Sequence, residues 1–151
     1  MQSRVIHITS IFPAPVPVIW EKVKRLETLQ YIAAPYAYFE PFGNTEMIWQ
    51  EGAVFKFRFR LFGIIPLGVH TISVLEFNRD SLSIYTHEEN KFVPTWNHRI
   101  ILKELDSNYT QYSDQVEIYA GWKTVFVCWW SYIFYKHRQK KWLKLLNSRQ
   151  G

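Results

Sequence analysis

The stretch FKFRFRLFG, residues 55–63, constrains the fold more tightly than any other: Phe55, Phe57 and Phe59 alternate strictly with Lys56, Arg58 and Arg60. Side chains on a strand point alternately to opposite faces, so the rings share one face and the cations the other. That pattern predicts an antiparallel sheet covered on one side only. A bare ladder of phenylalanines would aggregate, so it needs cover, and the only long apolar cover in the chain is the segment that Gly121 opens. The cations read as a solvated face, with an anion-binding stripe as the alternative.

The remaining elements follow in order. RVIHITSIF, residues 4–12, is a strand that stops at PAPVP, where prolines forbid ladder pairing and favour a helix start. From Val18 or Ile19 the apolar positions Val23, Leu26, Leu29 and Ile32 recur at helical spacing until Pro35, predicting one or two short helices. A loop through Pro41, Phe42 and Gly43 follows. Further strands are predicted at TEMIWQ, AVFKFRFRLFG, VHTISVLEF, SLSIYTHE, TWNHRIILKEL and YTQYSDQVEIY, and then a helix to about Asn147. The expectation is one α+β domain over residues 1–151: two short helices after the first strand, about 6–7 antiparallel strands in all, and one long C-terminal helix.

The hairpin from TWNHRIILKEL to YTQYSDQVEIY can be registered by parity, because a slip of one residue would send a whole strand to the wrong face. With Asp106, Ser107 and Asn108 as the loop, Leu105 opposes Tyr109. One face then collects Trp96, His98, Ile100 and Leu102 with Tyr112, Asp114, Val116 and Ile118. The reverse face collects Asn97, Arg99, Lys103, Gln111, Ser113, Gln115 and Glu117, which suits water. His98 and Asp114 are the polar intruders on the apolar face, and as diagonal neighbours they are expected to interact. A carboxylate beside an imidazole favours the charged pair while desolvation opposes it. Either a structural pair or a ligand-contacting, acid–base pair fits that pattern. The same counting on VLEFNRDSLSI, with Arg79 and Asp80 as the turn, sets Leu75 and Phe77 against Ile84 and Leu82. It places Thr71, Ser73, Thr86 and Glu88 on the covered face, Glu88 at a strand end.

Composition narrows the class. At 151 residues and 48% hydrophobic content the chain can bury about two thirds of its unfolded surface. Its 18% aromatic content suits a crowded core or a cavity wall. Cys128 is the only cysteine, which excludes an internal disulfide and fits a reducing, cytoplasmic setting; MQSRVIHITS has no apolar run of signal-peptide length. VFVCWWSYIFY, residues 125–135, is too short for a membrane span of about 20 residues and predicts a buried helix. The histidines His7, His70, His87, His98 and His137 show no metal-ligand spacing, and dinucleotide, P-loop and hydrolase signatures are absent, so neither metal nor cofactor is expected. Residues 136–151 hold six of the 18 Lys and Arg and no acid. Nucleic acid is not expected as a partner; cations of this kind complement a helix C-terminus, and weak anionic-surface contact through residues 136–149 is the alternative.

These stretches together resemble the SRPBCC superfamily of helix-grip proteins, which includes START domains, birch-pollen-allergen-like proteins and polyketide cyclase-like proteins. The resemblance runs over nearly the whole chain. It rests on APVPVIWEKVKRLETLQYIAAP, FRFRLFGIIPL, TWNHRI with YTQYSDQVEIYAG, and IFYKHRQKKWLKLL. Trp96 and His98 match the family's W-x-H, and Thr110 and Asp114 match the Thr and Asp of its next strand. Lys91 and Phe92 stand where relatives carry Gly-Pro, with Pro94 displaced, and Thr86 and Glu88 replace an Asp and a Gln. The resemblance implies a curved sheet gripping the long helix around a hydrophobic cavity that opens near the short helices. A small hydrophobic or amphipathic molecule is the expected partner, with Trp96, His98, Tyr112, Asp114, Glu88, Phe57 and Phe59 as ligand-binding candidates. Two alternatives stand beside this: a cyclase- or dehydratase-type enzyme with His98 and Asp114 as catalytic acid and base, and an interaction module using the basic helix end on a membrane or nucleic acid. Ligand identity and oligomeric state are not encoded legibly.

Overall fold

The computed structural model describes residues 2–42 and 49–148. Strand β1 (Arg4–Phe12) leads into helices α1 (Val16–Val23) and α2 (Leu26–Ala33). Six further strands follow: β2 (Ala37–Pro41), β3 (Val54–Leu61), β4 (Ile65–Asn78), β5 (Ser83–Asn90), β6 (Val93–Glu104) and β7 (Thr110–Tyr119). A 3-10 turn over Gly121–Lys123 then opens α3 (Thr124–Ser148). The seven strands form one antiparallel sheet in the order β1-β7-β6-β5-β4-β3-β2. The curved sheet grips α3, as the sequence pattern predicts.

The β3 alternation works as expected. Phe57 and Phe59 are buried and Phe55 half-buried, while Lys56, Arg58 and Arg60 are exposed. Arg58 and Arg60 both reach Glu40, at 3.7 Å and 2.8 Å, so two of the three stripe cations meet a carboxylate of β2. The β6–β7 register also matches: His98 opposes Val116 and Ile100 opposes Asp114. Every residue assigned to the apolar face of that hairpin is buried. On the reverse face Ser113 is buried too, because Thr9 of β1 covers it at 3.0 Å.

Four expectations are corrected. The loop through Pro41 contains β2, whose Ala37 and Phe39 point inward. The predicted strand TEMIWQ lies outside the described residues at Thr45–Ile48, and Trp49 and Gln50 are not in a strand. The β4–β5 turn takes residues 79–82, so Phe77 pairs with Ile84 rather than Leu82, and the register then breaks between Val74 and Glu76. Leu75 is thereby turned outward, Thr71 and Ser73 face away from the core, and His70, Ile72 and Val74 take the covered face. Finally, the run 125–135 is not buried all round. Its inward stripe is Cys128, Ser131, Phe134 and Tyr135, whereas Val125, Phe126, Trp129 and Tyr132 are exposed.

Candidate functional site

The inward faces of β4 to β7 carry a continuous polar chain through an otherwise apolar interior. His98 Nε2 and Asp114 Oδ1 are 2.6 Å apart. The second oxygen, Oδ2, accepts a hydrogen bond from Gln139 Nε2 of α3 at 2.9 Å. Gln139 Nε2 also donates to the backbone carbonyl of Ile8 at 2.9 Å, and its Oε1 accepts from Ser10, so the chain ties β1, β7 and α3 together. On the other side of His98, Nδ1 lies 3.8 Å from Glu88 Oε2. Glu88 Oε2 accepts from the Thr86 hydroxyl at 2.9 Å, and its Oε1 pairs with His70 Nε2 at 2.8 Å. Asn90 completes the row against His70 Nδ1 at 3.1 Å.

Two of these groups titrate away from their ordinary ranges. Burial works against charge on His98, but the hydrogen bond to Asp114 and the nearby Glu88 outweigh it and hold the imidazole above its usual value of 6.5. Burial likewise opposes charge on Glu88, and the bonded His70 with the neighbouring His98 overrides it, holding this carboxyl well below its usual 4.5. Burial also keeps the Tyr112 and Tyr135 hydroxyls protonated. The signs give a pH prediction. Glu88 contributes stability above about 4.5 that is lost as pH falls; His98 contributes stability below about 6.5 that is lost as pH rises through its raised value. Urea midpoints should therefore peak between these values, and His98→Gln should flatten the decline above 6.5.

A cavity of about 50 Å³ lies beneath α1 and α2. Its apolar wall includes Leu29, Ile32, Ile72, Ile84 and Ile100, and its polar wall is Thr86, Glu88, His98, Tyr112 and Arg138. Binding pockets for drug-sized molecules run to about 300–1,000 Å³, so in this conformation the chamber is nearly closed. Of the residues singled out in the sequence, Glu88, His98 and Tyr112 line it. Asp114 sits behind His98 and orients it. Phe59 and Trp96 line a second, open groove of about 430 Å³ at the other end of α3, and Phe57 is packed against Phe39. Sequence reasoning missed His70, which shares the inward parity of Ile72 and Val74. It also missed Arg138, which lies three residues after Tyr135 and four before Trp142 on the inward stripe of α3.

Among the described residues no group of three or more His, Cys, Asp or Glu side chains is arranged to hold a metal ion. No helix of the described residues is long and apolar enough to cross a membrane.

A seven-stranded sheet gripping a long C-terminal helix, with two short helices after the first strand, is an SRPBCC/START-like fold. The chain belongs to a family described as a domain of unknown function, DUF8410, whose model matches residues 10–146. Solved structures agree on the fold. A START superfamily protein from Mycobacterium smegmatis superposes with a TM-score of 0.73 at 12% identity, covering 95% of this chain and 97% of that one. The Zhui aromatase/cyclase from Streptomyces sp. R1128 gives 0.66 at 13% identity, covering 97% and 93%. A norcoclaurine synthase point mutant from Thalictrum flavum gives 0.68 at 13%, covering 99% and 97%. No curated protein matches the sequence.

Proposed function

We propose that this protein binds a small amphipathic molecule between the sheet and α3, beneath α1 and α2, and that His98 and Glu88 orient it. The observation that carries this reading is the placement of His98 and Glu88, 3.8 Å apart and each hydrogen-bonded to a further buried partner, on the wall of a largely apolar chamber. A purely structural network would be expected to leave no chamber beside it. The cover is suited to moving: α1 and α2 have eight residues each, and neither has a side-chain N-cap hydrogen bond. Short uncapped helices derive little stability from their own backbone. The lone, buried Cys128 suits a reducing compartment, which makes the cytoplasm part of this reading.

Native mass spectrometry of freshly purified protein, followed by solvent extraction, tests the proposal. A retained small molecule that is lost on unfolding is the expected result; apo protein only, with no uptake from a panel of apolar acids and alcohols, would overturn it.

The enzymatic alternative draws on one feature, His98 held between two carboxylates, which favour its protonated form. In that arrangement His98 would serve as the proton donor, with Asp114 positioning it, because both Asp114 oxygens are already engaged. His98→Gln separates the two readings. Turnover of a bound carbonyl substrate would fall about 10²–10⁴-fold with affinity nearly kept if His98 is the acid, whereas a carrier would lose only affinity and selectivity.

A further inference from the structure

The chamber beneath α1 and α2 is rich in hydrogen-bond donors that have nothing to bind. Arg138 lines it from α3 and is 7% exposed. Its guanidinium lies over the ring of Tyr135 at 4.9 Å and that of Phe134 at 5.6 Å, which steers it inward while Lys140 and Lys144 on the same helix reach solvent. The nearby carboxylates favour its charge from a distance but spend their hydrogen bonds elsewhere: Glu88 on His70 and Thr86, Asp114 on His98 and Gln139. Arg138 Nε has no hydrogen-bond partner among the described residues, and neither does the indole nitrogen of Trp49, another residue of the chamber wall.

Burial opposes charge on a guanidinium, and a buried N–H donor left without an acceptor adds to that cost, which makes such a group unusual in a purely structural core. We propose that Arg138 anchors the anionic head of the bound molecule, so that the ligand class is an amphipathic carboxylate. The planar fork of the guanidinium matches a carboxylate bidentately, and a bound carboxylate would bring it two acceptors. The available 50 Å³ is roughly the room for one or two waters, enough for the head alone. The apolar remainder leaves past Leu29 and Val23 as the two short helices give way.

This inference rests on the small-molecule reading above, and its test separates the two. Affinities of 2-naphthoate and its uncharged analogue 2-naphthylmethanol are measured by calorimetry on wild type, Arg138→Met and Arg138→Lys, each checked for cooperative thermal unfolding. Wild type is expected to prefer the carboxylate by about 10–100-fold, Arg138→Met to bind both compounds equally, and Arg138→Lys to fall between. Binding of both compounds to wild type without preference, or a preference that survives in either folded variant unchanged, would overturn the Arg138 assignment alone. Failure of both compounds to bind wild type would overturn the chamber reading along with it.

A separate observation concerns the outer surface. Over the first turns of α3 the helix is inside out, with Cys128 and Ser131 facing the sheet while Trp122, Phe126 and Trp129 are 72%, 67% and 69% exposed. Exposed Phe62, Ile64 and Ile65 at the β3–β4 turn extend the apolar surface, and the 430 Å³ groove joins the two through Leu61, Leu67 and Phe126. Lys91 and Lys123 flank Phe92 at 5.1 Å and 5.7 Å, and no carboxylate lines the groove. A second copy of the chain would oppose cation to cation here, whereas an anionic lipid surface complements both the lysines and the tryptophans, which favour the headgroup level. The geometry points to docking of this face on anionic membrane. Vesicle co-sedimentation at physiological salt reads it. Wild type should bind phosphatidylglycerol-containing vesicles at least tenfold better than pure phosphatidylcholine, and Trp122→Gln/Phe126→Gln/Trp129→Gln should lose the binding while keeping its fold. Absence of vesicle binding, or burial of the face in a solution dimer detected by sedimentation, would overturn the assignment.

Discussion

Asp114→Ala will lower the unfolding free energy by about 3–5 kcal/mol in urea titrations near pH 6, far more than the loss of one surface ion pair. Both oxygens of this carboxylate are engaged, one with His98 at 2.6 Å and the other with Gln139 at 2.9 Å. Removing them strands a buried imidazole that Asp114 helps keep charged, together with an amide that links α3 to β1. The imidazole must then lose its proton, so its pKa falls and the alkaline limb of the stability profile flattens as in His98→Gln. Asp114→Asn retains an acceptor for one neighbour only and should cost about 1–3 kcal/mol. A loss below about 1 kcal/mol for Asp114→Ala would mean that water replaces the carboxylate and that the network is not dry.

How much of this was legible in the sequence depended on whether strand parity was interrupted. The β6–β7 hairpin has a three-residue loop and no bulge, so counting from Leu105 against Tyr109 placed His98 and Asp114 on one buried face, where they meet. In β4–β5 the same counting failed. An extra residue at Leu75 and a turn in which Leu82 adopts φ 54° shift the pairing, and nothing in VLEFNRDSLSI marks a bulge. That shift hid His70, whose partner Glu88 lies 18 residues away across the sheet, beyond any search for local ligand spacing. β2 was hidden by Pro35 just before it and Pro41 at its end, although the alternation of buried Ala37 and Phe39 with exposed Tyr38 and Glu40 was present. Arg138 was masked by its neighbours: within KHRQKK a cation reads as solvated, and only the inward stripe of α3 distinguishes it. Charge clustering along the chain therefore misled where helical phase would not have.

Trp142→Ala is the second large effect, and it bears on whether the interior accepts a guest. Trp142 is fully buried, stacks on Phe12 at 5.6 Å and tilts against Tyr112 at 5.6 Å, and forms part of the chamber wall. Truncation should cost about 3–5 kcal/mol, from lost transfer energy and from the void left where the sheet cannot collapse. Because the void is continuous with the existing chamber, free indole should re-enter it. At a concentration 100 times its dissociation constant the added indole restores about 2.7 kcal/mol by mass action, read as a concentration-dependent rise in the melting temperature. Wild type, with only about 50 Å³ available until α1 and α2 move, should show a much smaller rise from indole at the same concentration. The contrast separates a chamber held closed by a single large side chain from one that admits aromatic guests by moving α1 and α2. If indole stabilises wild type as well as the variant, the short helices open readily in solution, and the nearly closed chamber is the resting form of a larger binding site.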